Sequence, residues 1–194
     1  YKAYLVPFCH KMEGLVNVLL WERPKRGLIF CHTRLETMSV SQRLIEEGFN
    51  SGALHGEMTQ RERNTVLAAF KNGHLPLLVA TNVAARGLDV EEVTHVIQIG
   101  LPDDRDTFVH RSGRTGRAGH EGMDILLLSP QEAEKFKYMI GSAKVNIEWN
   151  NVPDVQAIGK VQREIAEEKL LTIKEAGENE DYLQWAEDLL TRVT

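Results

Sequence analysis

The sequence predicts an α/β domain built on a mainly parallel sheet with helices on both faces, followed by a helical extension. Three observations predict it. Short, nearly continuous apolar runs alternate with amphipathic segments, as strands buried on both faces require. Three helix starts carry a Ser or Thr followed three residues later by Glu, the signature of a capping box. Beyond Val152-Pro153 the strand rhythm stops and a three- and four-residue apolar spacing takes over.

In chain order, Gly27-Leu28-Ile29-Phe30-Cys31-His32 reads as a buried strand, and Thr33…Glu36 caps the helix after it. That helix runs from Glu36 to Glu47, with Met38, Leu44 and Ile45 as its apolar positions, and Gly48 stops it. Ser51–Leu54 is a short, weaker strand. Thr59…Glu62 caps a helix from Gln60 to Lys71, marked by Val66, Leu67 and Phe70 and ended near Gly73. Leu77–Ala80, His95–Ile99 and Met123–Leu128 read as further strands. Ser129…Glu132 starts another helix, with Pro130 at its favoured first position. Two domains are expected, 1–152 and 153–194. The second reads as an αα-hairpin of residues 155–176 and 180–193, whose stripes (Val155, Ile158, Val161, Ile165; then Tyr182, Trp185, Ala186, Leu189, Val193) need a partner.

Charge narrows the function. The chain of 194 residues carries a net charge of −5, but residues 1–150 hold 18 basic and 18 acidic residues. Residues 151–194 hold 5 basic and 10 acidic ones, which disfavours phosphate contact by the tail. Any anion bound by the body is attracted by local clustering. The cluster is His110-Arg111-Ser112-Gly113-Arg114-Thr115-Gly116-Arg117, with three arginines in seven residues. A buried strand does not accommodate unpaired guanidinium groups, and glycines at 113 and 116 do not suit a helix interior. The run reads as a short helix and loop presenting rigid forks to an anion.

No apolar run reaches membrane-spanning length and no secretory signal opens the chain. Cys9 and Cys31 make no disulfide framework, and His32 and His74 have no zinc-like Cys/His spacing. A cytoplasmic, reducing location without a membrane is expected. Tyr1 in place of an initiating Met is the expectation for a piece of a longer protein.

Four segments together resemble the carboxy-terminal RecA-like domain of DEAD-box ATP-dependent RNA helicases. They are Leu28–Arg34, Leu54-His55-Gly56 with Gln60 and Arg63, Val79–Asp89, and His110–Arg117. The resemblance covers about residues 1–150, and the His-Arg-x-Gly-Arg-x-x-Arg form favours the RNA branch over DNA-directed helicases with the same core. It implies that Arg114 and Arg117 act as arginine fingers on the γ-phosphate of ATP. Gly87 lets the backbone approach the nucleotide, and Asp89 accepts from ribose hydroxyls; a helix cap or a partner for Arg86 is the structural alternative for Asp89. His110 and Arg111 resemble the inter-domain coupling pair. Thr33, Arg34, Gly56, Arg63 and Thr81 are implied to touch the RNA sugar-phosphate backbone, although Thr33 and Thr59 also serve as helix caps. Asn82 stands where many members have Asp, and Ser112 replaces a commonly apolar residue.

The sequence contains neither a Gly-x-x-x-x-Gly-Lys-Ser/Thr loop nor Asp-Glu-Ala-Asp. The resemblance therefore implies that ATP with Mg2+ is held mainly by an amino-terminal RecA-like domain, the expected partner, and that this chain alone is inactive. A reading of a different class is an interaction module that forms a homodimer through residues 155–193.

Overall fold

The computed structural model describes residues 1–85, 93–116, 122–141 and 145–175. The chain divides into two compact units, Tyr1–Val152 and Pro153–Thr194. The first is a seven-stranded, all-parallel sheet in the order β3-β4-β2-β5-β6-β1-β7. Its strands are β1 (Lys2–Leu5), β2 (Gly27–Cys31), β3 (Ser51–Leu54), β4 (Leu77–Thr81), β5 (His95–Ile99), β6 (Met123–Leu128) and β7 (Glu148–Asn151). The helices of this unit are α1 (Lys11–Glu22), α2 (Arg34–Glu46), α3 (Gln60–Lys71), the one-turn α4 (Asn82–Ala85), α5 (Arg105–Ser112) and α6 (Pro130–Ile140).

The period-2 alternation of each strand sorts its residues onto two faces. Ile29, Cys31, Leu77, Val79, Ile97, Ile99, Ile125 and Leu127 form one apolar layer with Leu15, Val18 and Leu19 of α1 and Val40 and Leu44 of α2. Leu28, Phe30, Leu78, Ala80 and Val96 pack on the other face with Phe70 of α3 and Ala84 and Ala85 of α4. On that same face Leu126 and Leu128 meet Phe108 of α5 and Ala133 and Phe136 of α6. The result is three layers. Connections that move along the sheet toward β7 (α3, α4, α5, α6) all run over one face. The two that move toward β3 (α1, α2) run over the other. A uniform crossover hand demands this division.

The predicted strands and the helices α3 and α6 stand where the sequence placed them. The elements that escape the sequence pattern are β1, α1, α4, β7 and all but the last turn of α5. β1 is only four residues and mixes Lys2 with apolar neighbours. β7, Glu-Trp-Asn-Asn, is a half-exposed edge strand with no apolar run to betray it. The expected core face of α2 is corrected. Its buried residues are Thr37, Val40, Ser41 and Leu44, while Met38 and Ile45 are 47% and 50% exposed. Small hydroxyl residues fill the seam because Ser41 meets Ser51 across it at 3.2 Å.

Two of the three capping boxes form in full, at Thr59/Glu62 and Ser129/Glu132. The third is shifted. The Thr33 hydroxyl accepts from the Glu36 amide, but the Glu36 carboxylate reaches the amide of His32 instead of that of Thr33. Left-handed glycines, Gly48 at φ 87° and Gly73 at φ 77°, follow α2 and α3 as the breakers predicted. Ser129→Ala is expected to cost about 1 kcal/mol. In a thermal melt followed by circular dichroism this lowers Tm by about 2–4 °C.

In the second unit, α7 (Val155–Glu175) is a 21-residue helix. Asp154 caps it, its Oδ1 accepting from the Ala157 amide at 2.7 Å. The expected second helix, 180–193, lies outside the described residues. Among the described residues no helix is long and apolar enough to cross a membrane.

Candidate functional site

Because all seven strands run the same way, their carboxy-terminal ends share one edge of the sheet, where open α/β sheets bind ligands. Residues expected to act together are brought to this edge by strands far apart in sequence. Cys31 of β2 is in register with Thr81 of β4, and Leu54 of β3 with Ala80. Thr33, Gly56 and Thr81 therefore stand within two residues of equivalent levels on three adjacent strands. Thr81 and Arg63 are linked through α4. The Thr81 hydroxyl accepts from the Ala84 amide at 3.4 Å, and Arg63 donates to the Ala84 carbonyl at 2.6 Å. Arg34 pairs with Glu57, beside Gly56. A Cβ at Gly56 would meet nothing within 4 Å, so packing within this chain does not demand the glycine. The Thr33 hydroxyl is engaged in capping α2, which leaves the exposed backbone around it for other contacts.

The arginine run begins on the last turn of α5 and leaves the helix at once. Asp104 caps the start of α5 by accepting from the Thr107 amide, and those hydrogen bonds hold its carboxyl below the ordinary value. Gly113 closes the helix, and Arg114 stands in the following turn. After the helix, the described residues 113–116 form a turn. Gly116 has φ 68°, a left-handed conformation that suits glycine. The Thr115 hydroxyl donates to the Val93 carbonyl, which ties the turn to the entry of β5. A Cβ on Gly122, just before β6, would fall onto the Thr115 hydroxyl and the Gly116 amide, so this glycine permits the turn to lie against the sheet.

Arg111 is buried beneath the arginine run. It is 2% exposed, with its guanidinium 5.3 Å from the centre of the Phe30 ring. Its Nε donates to Asn82 Oδ1 at 2.6 Å, and its two Nη atoms have no partner among the described residues. Burial draws its pKa down, against the nearby carboxylates led by Asp103. Asn82 explains the arrangement. An Asp there would add a charge partner for Arg111; the amide supplies only a neutral acceptor. A buried cation whose hydrogen-bond partner is neutral is costly, and its free Nη donors favour an incoming anion.

These groups border an open cleft of about 520 Å³ between α4 and α5. Asn82 and Val83 form one wall, Thr107, His110 and Arg111 the other, with Arg114 at the rim and Phe30 as the floor. Asn82, Phe30 and Thr107 were not marked by the sequence as cleft residues. Only Asn82 carried a signal, its departure from the commoner Asp. Gly87, Asp89 and Arg117 lie outside the described residues. Among the described residues no group of three or more His, Cys, Asp or Glu is arranged to hold a metal.

Comparison with known proteins follows the same pattern. The family model for the helicase conserved C-terminal domain matches residues 10–119. The chain is 37% identical over 184 residues to the DEAD-box ATP-dependent RNA helicase CshA of Bacillus anthracis, covering 93% of this chain and 34% of that protein. It thus spans about a third of the length of the curated relatives it matches. Among solved structures, the E. coli DEAD-box protein SrmB bound to regulator of ribonuclease activity A superposes with a TM-score of 0.69 at 31% identity, over 81% of this chain and 91% of that one. A DEAD box protein from the hyperthermophile Methanococcus jannaschii gives 0.68 at 33% identity, over 76% and 40%.

Proposed function

This chain belongs to the DEAD-box branch of the helicase conserved C-terminal domain family, and from that premise we propose that it is the second RecA-like half of an ATP-dependent RNA helicase. In this reading ATP and its Mg2+ are bound chiefly by an amino-terminal RecA-like domain of the same protein. This chain closes onto them with its strand-end edge. Arg114 and Arg117 meet the γ-phosphate, Gly87 and Asp89 meet the nucleotide's ribose side, and His110 and Arg111 couple the two domains. Thr33, Arg34, Gly56, Arg63 and Thr81 carry the RNA sugar-phosphate backbone, and strand bending on closure disrupts a short duplex.

The observation that supports this reading best is the α4–α5 cleft, where Arg111 is buried with both Nη atoms unpaired among the described residues and Arg114 stands at the rim. Two guanidinium groups lining one cleft suit a polyanion whose charge grows during phosphoryl transfer. The chemistry asks little covalent work of the protein, so positioned positive charge is the contribution this half makes. The strand-end residues suit RNA because hydroxyls, exposed amides and guanidinium groups contact phosphate and sugar without reading base sequence.

ATP hydrolysis with and without single-stranded RNA tests the proposal. The chain alone is expected to show negligible turnover, and the protein that joins it to its amino-terminal RecA-like domain to show turnover stimulated by RNA. Turnover by the joined protein that is indifferent to RNA, or turnover by this chain alone, overturns it.

A further inference from the structure

A carboxylate straps three strand ends together in a way the proposed chemistry does not use. β2 is followed by α2, which crosses one face of the sheet toward β3. Its neighbour β5 is followed by α5, which crosses the other face toward β6. Connections that leave adjacent strands in opposite directions open a crevice between their ends. Asp103, in the loop between β5 and α5, spans this crevice. Its Oδ2 accepts from Asn82 Nδ2 at 3.5 Å, just beyond β4. Its Oδ1 lies 3.7 Å from His32 Nδ1, just beyond β2. One side chain from the β5 end thus reaches past β2 to the end of β4.

The loop fixes Asp103 from both sides, although the side chain itself is 65% exposed. Pro102 before it is buried, and Asp104 after it caps α5 by accepting from the Thr107 amide at 2.6 Å. The His32 ring is seated as well. Gly100 has φ 81°, and a Cβ there would fall 3.1 Å from His32 Nε2. The glycine leaves room for the ring to lie against the end of β5, beside the Lys11–Glu132 ion pair.

Asn82 gives the strap its consequence. Its Oδ1 accepts from Arg111 Nε at 2.6 Å, so its Nδ2 needs an acceptor on the other side. Asp103 is that acceptor. A rotated amide would set an N–H against the guanidinium, donor against donor, and would turn its oxygen toward a carboxylate. We propose that Asp103 is a positioning residue for Arg111 in the α4–α5 cleft, acting through the Asn82 amide. The alignment stands on this geometry; only its effect on ATP turnover rests on the function proposed above. A carboxylate at position 82 would hold Arg111 without help and would repel Asp103. The sign of the Asp103 contribution therefore depends on which residue stands at 82.

Nitrogen-15 NMR on the full 194-residue chain reads the Arg111 Nε–H directly. In Asp103→Ala its hydrogen exchange is expected to quicken several-fold, and the Asn82 side-chain amide pair to shift. Asp103→Asn keeps an acceptor oxygen and is expected to preserve both signals. In the Asn82→Asp background the effect is expected to reverse, because removing Asp103 there withdraws a like charge and slows Arg111 exchange. Unaltered Arg111 Nε–H exchange in Asp103→Ala overturns the proposal, as does a change of the same sign and size in the Asn82→Asp background. In the joined two-domain protein, Asp103→Ala is expected to lower RNA-stimulated kcat by about two- to tenfold, the worth of one hydrogen bond, with KM little changed. In Asn82→Asp the same substitution is expected to raise kcat. An RNA-stimulated kcat indifferent to Asp103→Ala also overturns the proposal. The NMR effects without any RNA-stimulated turnover refute the helicase reading and leave the positioning of Arg111 intact.

Discussion

Arg114→Ala in the two-domain protein is expected to lower RNA-stimulated ATP turnover by a factor on the order of 10³–10⁵, the range seen when an arginine finger is withdrawn from a nucleotide hydrolase. The reason is electrostatic. In the proposed reading charge builds on the transferring phosphoryl group, and a guanidinium positioned beside it stabilises that charge. Arg114 occupies the cleft rim in the turn after α5, outside the helical ladder, half-buried rather than extended into solvent. The turn is held from two sides, by the Thr115 hydroxyl on the Val93 carbonyl and by the close approach that Gly122 allows. An arginine pre-positioned in this way needs little reorganisation at the moment of transfer. Steady-state kinetics check the claim. The loss should fall on kcat much more than on KM, because the contact is made mainly in the transition state. Arg114→Lys should recover little of it, since an ammonium cannot present the planar fork of the guanidinium. A loss under tenfold in Arg114→Ala, with the melting temperature unchanged, removes Arg114 from the role.

The layered architecture was legible because apolar runs such as Leu77–Thr81 and Met123–Leu128, buried on both faces, announce parallel strands without any tertiary information. Capping residues were equally legible, since Thr59 and Ser129 act within four residues of themselves. What the sequence hid is what depends on distant pairing. β7 is polar and becomes a strand only because β1 offers it a ladder, Lys2 opposite Glu148 and Leu5 opposite Asn151. The site shows the same division. The arginine run was visible as a run, but its depth was not. The burial of Arg111 depends on Phe30 and Asn82, which lie 81 and 29 positions away along the chain. Likewise Asp124 reads as an ordinary polar residue at the start of a strand. Only the fold shows that it is buried against Gln98 of the neighbouring strand.

Phe108→Ala is expected to destabilise the chain by about 3–5 kcal/mol, the usual range for deleting a buried aromatic ring. With about 2–4 °C of Tm lost per kcal/mol in a chain of this size, the melt should fall by roughly 6–20 °C. Phe108 is 2% exposed and packs with Leu126, Leu128, Ala133 and Phe136. Its ring meets that of Phe136 edge-on at 5.2 Å and that of Tyr1 at 5.6 Å. These contacts are the main apolar hold on α5, a helix otherwise dominated by charged and polar residues. Its carbonyl is also the acceptor for the Ser112 hydroxyl, so the same residue fixes the helix to the sheet and accepts from its last turn. Phe108→Leu keeps most of the volume and should cost under about 1.5 kcal/mol. The two variants together separate packing from chemistry. If the helix is only a strut, turnover at a temperature where both variants are folded should match the unsubstituted protein. If α5 positions the arginine turn, Phe108→Ala should lose turnover there while Phe108→Leu keeps it, because a ring-sized cavity lets the last turn sink and carries Arg111 and Arg114 off the cleft.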